Sequence, residues 1–304
     1  RLPAGEDWVE GFRQAAGSRL PVLARRVEPE PCNGEEHGDP LDRLILPPAQ
    51  REQIEELIRH VQCGARVLND WGFAALMDGQ GVAALFAGES GTGKTTAARV
   101  VASHLQTDLY VIELAQVVSK YIGETEKNLD AVFDQAQSAG AVLLFDEADA
   151  LFGRRSAVSS AHDRYANMEV AYLLQRLQRF TGLAILTTNN AANIDAAFVR
   201  RLRFRIEFPR PAATERLQIW EQSLPVRLRE ESLDFRRLAV GLALTGGAIR
   251  QMAFHAAVLA ASANRKIGCA DVMAGVRSQL VRLGRFDDLA KLDGIATSAE
   301  REVA

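Results

Sequence analysis

Hydrophobic and polar positions along the chain follow two different periodicities. Between residues 82 and 208 short apolar runs alternate with longer amphipathic stretches, and the runs lie at 82–87, 109–112, 141–145, 183–187 and 204–208. Short apolar runs that alternate with helical patterns are typical of a parallel sheet whose strands are joined by crossover helices. This part of the sequence therefore predicts an α/β fold with a parallel five-stranded sheet flanked by helices.

Helical periodicity extends beyond both ends of the predicted sheet. Before it, the apolar residues from Ile54 to Val61 are spaced as on one face of a helix, so we predict a large α/β domain over residues 46–208. After residue 208 only helical spacing remains, and it predicts a small all-helical domain over residues 209–285. Its predicted helices lie near 212–222, 234–240, 247–263 and 270–283. Residues 286–304 are expected to form a C-terminal tail.

The first 45 residues have a different composition from the rest of the chain. They mix proline, glycine and charge, as in Glu28-Pro29-Glu30-Pro31. Such a composition favours a weakly ordered linker. Because the sequence begins with Arg1 rather than methionine, we expect residues 1–45 to be the remnant of a longer N-terminal region.

Composition and charge argue against several classes of protein. The 304 residues are 47% hydrophobic and 25% charged, as in an ordinary globular protein, and the net charge of -3 argues against a general nucleic-acid-binding surface. Cys32, Cys63 and Cys269 are far apart, which suggests neither a disulfide framework nor a zinc site. No apolar run approaches the roughly 18 residues of a spanning helix, and no signal peptide begins the chain. We therefore expect a cytoplasmic protein that has neither a membrane nor a nucleic acid as its partner.

A glycine-rich segment follows the first predicted strand of the sheet and opens a helix. It matches the phosphate-binding P-loop pattern, in which glycines let backbone N–H groups face the phosphates. Lys94 would reach the β and γ phosphates, and Thr95 would hold Mg²⁺. The alternative is a chance glycine-rich turn, but the strand before the segment and the helix after it favour the P-loop. We predict that ATP or ADP binds Gly88, Glu89, Ser90, Gly91, Thr92, Gly93, Lys94, Thr95 and Thr96.

The predicted strand at 141–145 is followed directly by the carboxylates Asp146 and Glu147. Ligands of open parallel sheets bind at the carboxyl ends of the strands, so this is the Walker B arrangement. Asp146 would hold Mg²⁺ with the nucleotide, and Glu147 would polarise the attacking water as general base. An acidic cluster after a strand is also typical of a helix N-cap, but the P-loop upstream favours the catalytic role. Asp149 is interpreted as the start or cap of the following turn.

The predicted strand at 183–187 leads to the polar amide of Asn189. Asparagine in this position is often a simple turn residue. Here it follows a P-loop and an acidic strand, in that order along the chain. We therefore predict that Asn189 is a catalytic sensor that orients the attacking water near the γ-phosphate.

With these motifs in order, residues 45–285 resemble the classical AAA ATPases. The stretch from Ala197 to Pro209 is similar to the arginine-finger region of meiotic-clade members such as katanin and spastin. The resemblance implies that Arg200 and Arg201 reach the nucleotide of a neighbouring subunit, where a guanidinium stabilises charge on the transferred phosphoryl group. It also implies a homo-oligomeric ring, a hexamer, in which the helical domain is a lid. A solvated basic patch is the alternative for these arginines.

The stretch from Ser119 to Leu129 is similar to the first pore loop of the same family. The resemblance implies that Lys120, Tyr121 and Ile122 contact a protein substrate in the central channel. Tyr121 would grip the substrate by area and stacking without demanding a particular sequence. The alternative is a helix start whose apolar side chains belong to the core.

Two further sites follow from the family resemblance. Gly246 and Gly247 stand where members of the family have a small-residue pair near the adenine and ribose. Gly72 stands where backbone groups contact adenine. Core packing explains its aromatic neighbours, Trp71 and Phe73, equally well.

Residues 144–153, 162–169 and 274–285 resemble a narrower group. This group comprises bacterial AAA proteins that accompany extracellular contractile injection systems, which are phage-tail-like particles. The resemblance implies a role in assembling or disassembling such a particle, with injection-system components as partners.

The leading hypothesis from the sequence is a motor that remodels proteins at the expense of ATP, and three other functions stay open. An energy-dependent protease would need another domain or a partner, because no His-Glu-x-x-His motif occurs in the sequence. A nucleic-acid-dependent AAA ATPase would favour basic residues over Tyr121 in the pore. A nucleotide-regulated scaffold would form rings but leave the fold of its partner unchanged.

Overall fold

The structure is a computed structural model, and it describes residues 24–29, 39–76, 81–113, 124–149, 171–190, 194 and 199–292. Within these residues the chain divides into two compact units. The first comprises Pro48–Gly88, Lys94–Phe208 and the described part of Arg1–Leu44. The second comprises Ile45–Pro47, Glu89–Gly93 and the described part of Pro209–Ala304. The middle of the P-loop therefore groups with the second unit.

The first unit is built on one sheet. Its strands are β1 (Ala24–Val27), β2 (Val82–Ala87), β3 (Leu109–Glu113), β4 (Val142–Asp146), β5 (Leu183–Thr188) and β6 (Phe204–Glu207). Their order across the sheet is β1-β3-β4-β5-β2-β6, and every neighbouring pair from β3 to β6 is parallel. The five predicted parallel strands are thus confirmed, and β4, β5 and β2 lie side by side.

The strand β1 was not predicted. It pairs antiparallel with β3, with Ala24 opposite Ile112, and Arg26 donates a hydrogen bond of 3.0 Å to Asp108. A 3-10 helix follows at Pro40–Arg43. The expectation of a weakly ordered linker over residues 1–45 is therefore wrong for these two stretches. Four residues at the edge of a sheet carry too little apolar periodicity to be recognised, because pairing with a distant strand specifies them.

Helices cover the sheet of the first unit. They are α1 (Pro48–Asn69), α2 (Lys94–His104), α3 (Glu124–Ala139) and α4, a helical segment at 171–179. The amphipathic helix predicted before the sheet is confirmed as α1, which buries Ile54, Leu57 and Ile58. Phe133 of α3 packs against Phe145 of β4 with ring centroids 5.6 Å apart, so the crossover helix fixes the strand that ends in Asp146.

The second unit is helical. Its helices are α5 (Ala213–Ser223), α6 (Arg236–Gly241), α7 (Gly246–Ser262), α8 (Cys269–Arg282) and α9, a helical segment at 286–292. Trp220 stacks on Phe235 at 5.5 Å in the middle of its core. Leu292 is buried in the same core, so the first part of the expected C-terminal tail is a packed helix. Across the described residues, every helix is too short or too polar to cross a membrane.

Candidate functional site

The carboxyl ends of β4, β5 and β2 bring the predicted polar residues of the first unit together. Phe145 lies opposite Leu186, so the next residue of β4, Asp146, reaches the end of β5. Ala87 lies opposite Thr188, so Gly88 and Asn189 follow at the same edge of the sheet. Three motifs that are far apart in the sequence therefore meet because parallel strands end on the same side.

Lys94 is the first residue of α2, and its side chain is directed towards this edge. It is only 7% exposed, and its ammonium donates hydrogen bonds of 2.6 Å to the Gly88 carbonyl and 2.9 Å to Asn189 Oδ1. Burial lowers the pKa of Lys94, while the charges of Asp146 and Asp149 act in the opposite direction. A buried ammonium beside neutral carbonyl groups is a good partner for an anion such as phosphate.

Asp146 is held by hydroxyl groups on both sides. Thr95 Oγ1 donates to Asp146 Oδ2 at 3.3 Å, and Thr187 Oγ1 donates a hydrogen bond to Asp146 Oδ1. The neighbouring hydroxyl and carboxylate oxygens are of the kind that Mg²⁺ prefers, together with phosphate oxygens and water. Across the described residues no group of three or more His, Cys, Asp and Glu side chains forms a dedicated cage for a metal ion. The residues present therefore fit Mg²⁺ bound together with a nucleotide.

Glu147 follows Asp146 with its backbone in the left-handed region, at φ 56°. This conformation is uncommon for a residue other than glycine and marks local strain, which is often found at functional sites. The Glu147 side chain is exposed, while its N–H donates to Asp146 Oδ1 and to Thr187 Oγ1, each at 3.2 Å. The turn thus separates the two carboxylates, with one held at the strand end and the other directed outward.

Asp149 was interpreted as a local cap, but it contacts the end of β5. Its Oδ1 accepts a hydrogen bond of 3.3 Å from the backbone N–H of Asn189. The acidic turn after β4 and the amide after β5 are thereby joined directly.

The middle of the P-loop, which groups with the second unit, has a backbone that requires glycine. Gly91 has φ 80° and Gly93 has φ 105°, and a Cβ atom added at Gly93 would meet nothing within 4 Å. The loop is therefore open on that side, as a phosphate cradle must be. Thr92 Oγ1 donates to the carbonyl of Glu89 at 2.8 Å and closes the turn.

Gly246 and Gly247 open α7 and approach the P-loop closely. The Gly247 N–H donates to the Gly91 carbonyl at 2.8 Å, and a Cβ atom at Gly247 would lie 3.0 Å from Gly91 Cα. Close backbone approach therefore explains the glycine at position 247. Their predicted contact with adenine and ribose stays a prediction.

The first variable residue of the P-loop, Glu89, carries an ion pair. Arg210 Nε donates to Glu89 Oε2 at 2.5 Å, and this hydrogen bond raises the pKa of Arg210. Both side chains are exposed. The Glu89 carboxylate stands beside the predicted phosphate site, and Arg210 offsets its negative charge.

Arg200 and Arg201 are exposed at the opposite, amino edge of the sheet. They line a shallow pocket with Gly81, and Arg203 N–H donates to the Ala83 carbonyl at 2.9 Å. Gly88 lies at the far end of β2, roughly 20 Å away along a strand that rises about 3.3 Å per residue. The structure therefore does not bring the two arginines to the Lys94 end of the sheet in the same chain.

Two other predicted sites have different outcomes. Lys120, Tyr121 and Ile122 lie outside the described residues, so the pore-loop hypothesis stays a prediction. Gly72 has φ 77° and begins a short 3-10 helix. Trp71 beside it is 62% exposed, so core packing as its explanation is wrong.

Sequence reasoning missed two residues of the site, Thr187 and Arg210. Thr187 was only part of an apolar strand, and a threonine is common in any strand. Arg210 stands 121 residues after its partner Glu89. Only the folded chain brings them to their partners.

Comparisons with known proteins agree with this geometry. Residues 84–210 match the ATPase family associated with various cellular activities (AAA). The chain is 29% identical to the 26S proteasome regulatory subunit S10B homolog B of Arabidopsis thaliana over 60% of this chain and 47% of that protein. It is 28% identical to the 26S proteasome subunit RPT4 of Saccharomyces cerevisiae over 80% of this chain and 56% of that protein.

A third relative is the ATP-dependent zinc metalloprotease YME1 homolog of Caenorhabditis elegans. It is 30% identical over 59% of this chain and 26% of that protein. The chain spans about half the length of the proteasomal relatives that it matches. The family match and the P-loop geometry lead to one conclusion: residues 84–210 form a P-loop NTPase domain of the AAA type, and the match supports hydrolysis of ATP with Mg²⁺ by this domain.

Proposed function

We propose that this chain is one subunit of a homo-oligomeric ring, a hexamer, that hydrolyses ATP to remodel a protein substrate. The observation that carries the proposal is the separation of two sets of residues. Lys94, Asp146 and Asn189 meet at one edge of the sheet, whereas Arg200 and Arg201 lie at the other. A chain that holds the two sets apart needs a neighbouring copy to combine them.

In the proposed mechanism each residue at the carboxyl edge has one task. The Lys94 ammonium would contact the β and γ phosphates, and the oxygens of Thr95 and Asp146 would hold Mg²⁺, which would supply positive charge to the phosphates. The Glu147 carboxylate accepts a proton from the attacking water, and Asn189 orients that water. Contact between Lys94 and Asn189 supports this arrangement, because it places the lysine beside the proposed sensor.

Arg200 and Arg201 are proposed to act in trans. Both arginines are exposed, and they lie at the opposite edge of the sheet from Lys94 of their own chain. A rigid positive charge supplied by a neighbour stabilises the transferred phosphoryl group, so hydrolysis depends on the assembled ring. Tyr121, flanked by Lys120 and Ile122, is proposed to contact the protein substrate in the central channel.

The proteasomal relatives support a protein rather than a nucleic acid as the substrate. Both relatives are named as subunits of the 26S proteasome. The finer role, assembly or disassembly of a contractile injection particle in the cytoplasm, rests on the resemblance of residues 144–153, 162–169 and 274–285. A nucleotide-regulated scaffold and a nucleic-acid-dependent ATPase are the competing functions.

One experiment separates these functions. The Glu147→Gln protein is incubated with ATP and Mg²⁺, and the species that co-purify are identified by mass spectrometry and nuclease treatment. Lys94→Ala serves as the control, because it should bind the nucleotide much more weakly. ATP-dependent recovery of tail-tube or sheath proteins supports a role in the injection particle. Recovery of other proteins supports protein remodelling but not this particle as the substrate. Nucleic acid as the ATP-dependent partner would overturn the proposal.

A further inference from the structure

Thr187 has a side chain that the family match and the sequence motifs leave without a role. We propose that its hydroxyl is a positioning group, which holds the Mg²⁺ ligand Asp146 and the backbone of Glu147 in place for ATP hydrolysis. The inference rests on the functions proposed for Asp146 and Glu147, and its test keeps the two apart.

The Thr187 hydroxyl makes two hydrogen bonds in opposite roles. It donates to Asp146 Oδ1 and accepts the N–H of Glu147 at 3.2 Å. The side chain is 1% exposed, so water does not replace either partner. The backbone carbonyl of Thr187 adds a third link, because it accepts the N–H of Ala148 at 2.8 Å. A single residue of β5 therefore binds three consecutive residues, the last residue of β4 and the two that follow it.

The first of these hydrogen bonds sets the direction of the Asp146 carboxylate. With Oδ1 held by Thr187, the other oxygen, Oδ2, lies beside Thr95 Oγ1 at 3.3 Å. These are the two oxygens proposed to meet Mg²⁺. A carboxylate fixed at one oxygen presents the other without losing rotational freedom when the ion binds, and such outer partners tune the affinity of metal sites.

The second hydrogen bond acts on Glu147. Its left-handed backbone, at φ 56°, is strained for a residue with a Cβ atom, and such strain persists only where the surroundings fix it. The N–H accepted by Thr187 is one of the interactions that hold this turn. The same hydroxyl therefore positions the proposed metal ligand and the proposed general base.

The neighbouring threonine does not share this role. Thr188 is also buried, but its hydroxyl accepts the N–H of Asn190 at 3.0 Å, two residues further along the same chain segment. That contact is local to the end of β5. Burial of a threonine at this strand end is thus not sufficient for the link to β4.

The test compares Thr187→Val, which keeps the shape and loses the hydroxyl, with Thr187→Ser, which keeps the hydroxyl. Thr107→Val is the matched control, because the Thr107 hydroxyl is buried and has no hydrogen-bond partner among the residues that the structure describes. The affinity for a fluorescent ATP analogue is measured with Mg²⁺ and with EDTA, and kcat and KM are measured separately. Chemical unfolding of each variant reports its stability.

We expect Thr187→Val to reduce the gain in nucleotide affinity due to Mg²⁺ by about tenfold, the equivalent of one lost charge-assisted hydrogen bond. Its affinity in EDTA should stay within about twofold, and kcat should fall by about tenfold or more. Thr187→Ser should retain both the Mg²⁺-dependent gain in affinity and kcat, and Thr107→Val should leave both unchanged. A purely structural threonine would lower stability without a selective loss of the Mg²⁺ effect.

An unchanged Mg²⁺ effect in a folded Thr187→Val protein would overturn the inference, and so would an equal loss in Thr187→Ser. If Thr187→Val does not fold, Thr187→Ala and Thr187→Ser give the same comparison. Asp146→Asn separates the inference from the function on which it rests. If Asp146→Asn keeps the full Mg²⁺ effect, the proposed metal site itself is wrong.

Discussion

Lys94 and Asn189, 95 residues apart in the sequence, are joined by a hydrogen bond of 2.9 Å from the lysine ammonium to the amide oxygen. The contact brings the P-loop lysine to the end of β5. Burial lowers the pKa of Lys94, so its positive charge is incompletely solvated where it stands. A phosphate oxygen would be a stronger partner for this ammonium than a neutral amide or carbonyl group.

Lys94→Ala should therefore weaken nucleotide binding by roughly 10- to 100-fold, the usual effect of losing a hydrogen bond to a charged group. Equilibrium titration with a fluorescent ATP analogue measures the change. The matched control is Lys266→Ala, which removes an exposed lysine of the second unit. Equal affinity in the Lys94→Ala protein would contradict the phosphate-binding role.

Glu147→Gln should keep nucleotide affinity but lower the rate of ATP hydrolysis by about 100-fold or more, because the amide does not accept the proton of the attacking water. Steady-state phosphate release and nucleotide titration measure the two quantities. Glu231→Gln, at an exposed glutamate of the second unit, is the control. Normal turnover in purified Glu147→Gln protein would remove the general-base assignment.

Arg200→Ala and Arg201→Ala should each leave nucleotide affinity within about twofold and reduce hydrolysis by about 100-fold or more. Because the guanidinium is supplied in trans, Arg200→Ala subunits mixed with Lys94→Ala subunits should regain activity at their shared interfaces. Arg236→Ala, at an exposed arginine, is the control. Failure of mixed rings to recover activity would argue against the trans arrangement.

Arg210→Ala should weaken ATP binding by a few-fold, because it removes the positive charge that offsets the Glu89 carboxylate beside the proposed phosphate site. Adding Glu89→Gln to Arg210→Ala should restore the affinity, since the repulsive charge is then gone. Titrations at low and high salt test the electrostatic origin, because screening should shrink the effect. A double variant no better than Arg210→Ala would show that the arginine acts in another way.

Asp271→Asn should lower the free energy of unfolding by about 1–2 kcal/mol at neutral pH, since it weakens the bond from Arg265 and alters the one from Gly268 N–H. The hydrogen bond from Arg265 lowers the pKa of Asp271 below its ordinary value of 3.8. A carboxyl with a lowered pKa in the folded state stabilises the protein above the ordinary pKa. That contribution is lost as the pH falls through the folded value.

The difference between the native protein and Asp271→Asn should therefore shrink progressively below pH 3.8. Denaturant titrations at pH 7 and at successively lower pH values measure it. Asp287→Asn, at an exposed carboxylate of the same unit, should show little effect at either end. A constant difference across this range would contradict the proposed origin of the stabilisation.

The five parallel strands, helices α1 and α5 to α8 and the P-loop could be predicted from the sequence, because each depends on local periodicity or on closely spaced residues. Strand β1 could not, since its four residues are specified by pairing with β3 rather than by their own pattern. Asp149 was assigned to its own turn, whereas its carboxylate accepts the N–H of Asn189 from another strand. Long-range hydrogen bonds of this kind leave no periodic trace.

Residue types and their order along the chain were enough to predict the chemistry of this protein, because a phosphate cradle, an acidic strand end and a polar amide require particular residues in a particular order. Tertiary structure decided which groups touch. It joined Lys94 to Asn189, placed Thr187 against Asp146 and Glu147, and put Arg200 and Arg201 at the opposite edge of the sheet. The reason is physical, since strand order and register fix these neighbours, and both arise from burial and pairing across the whole sheet.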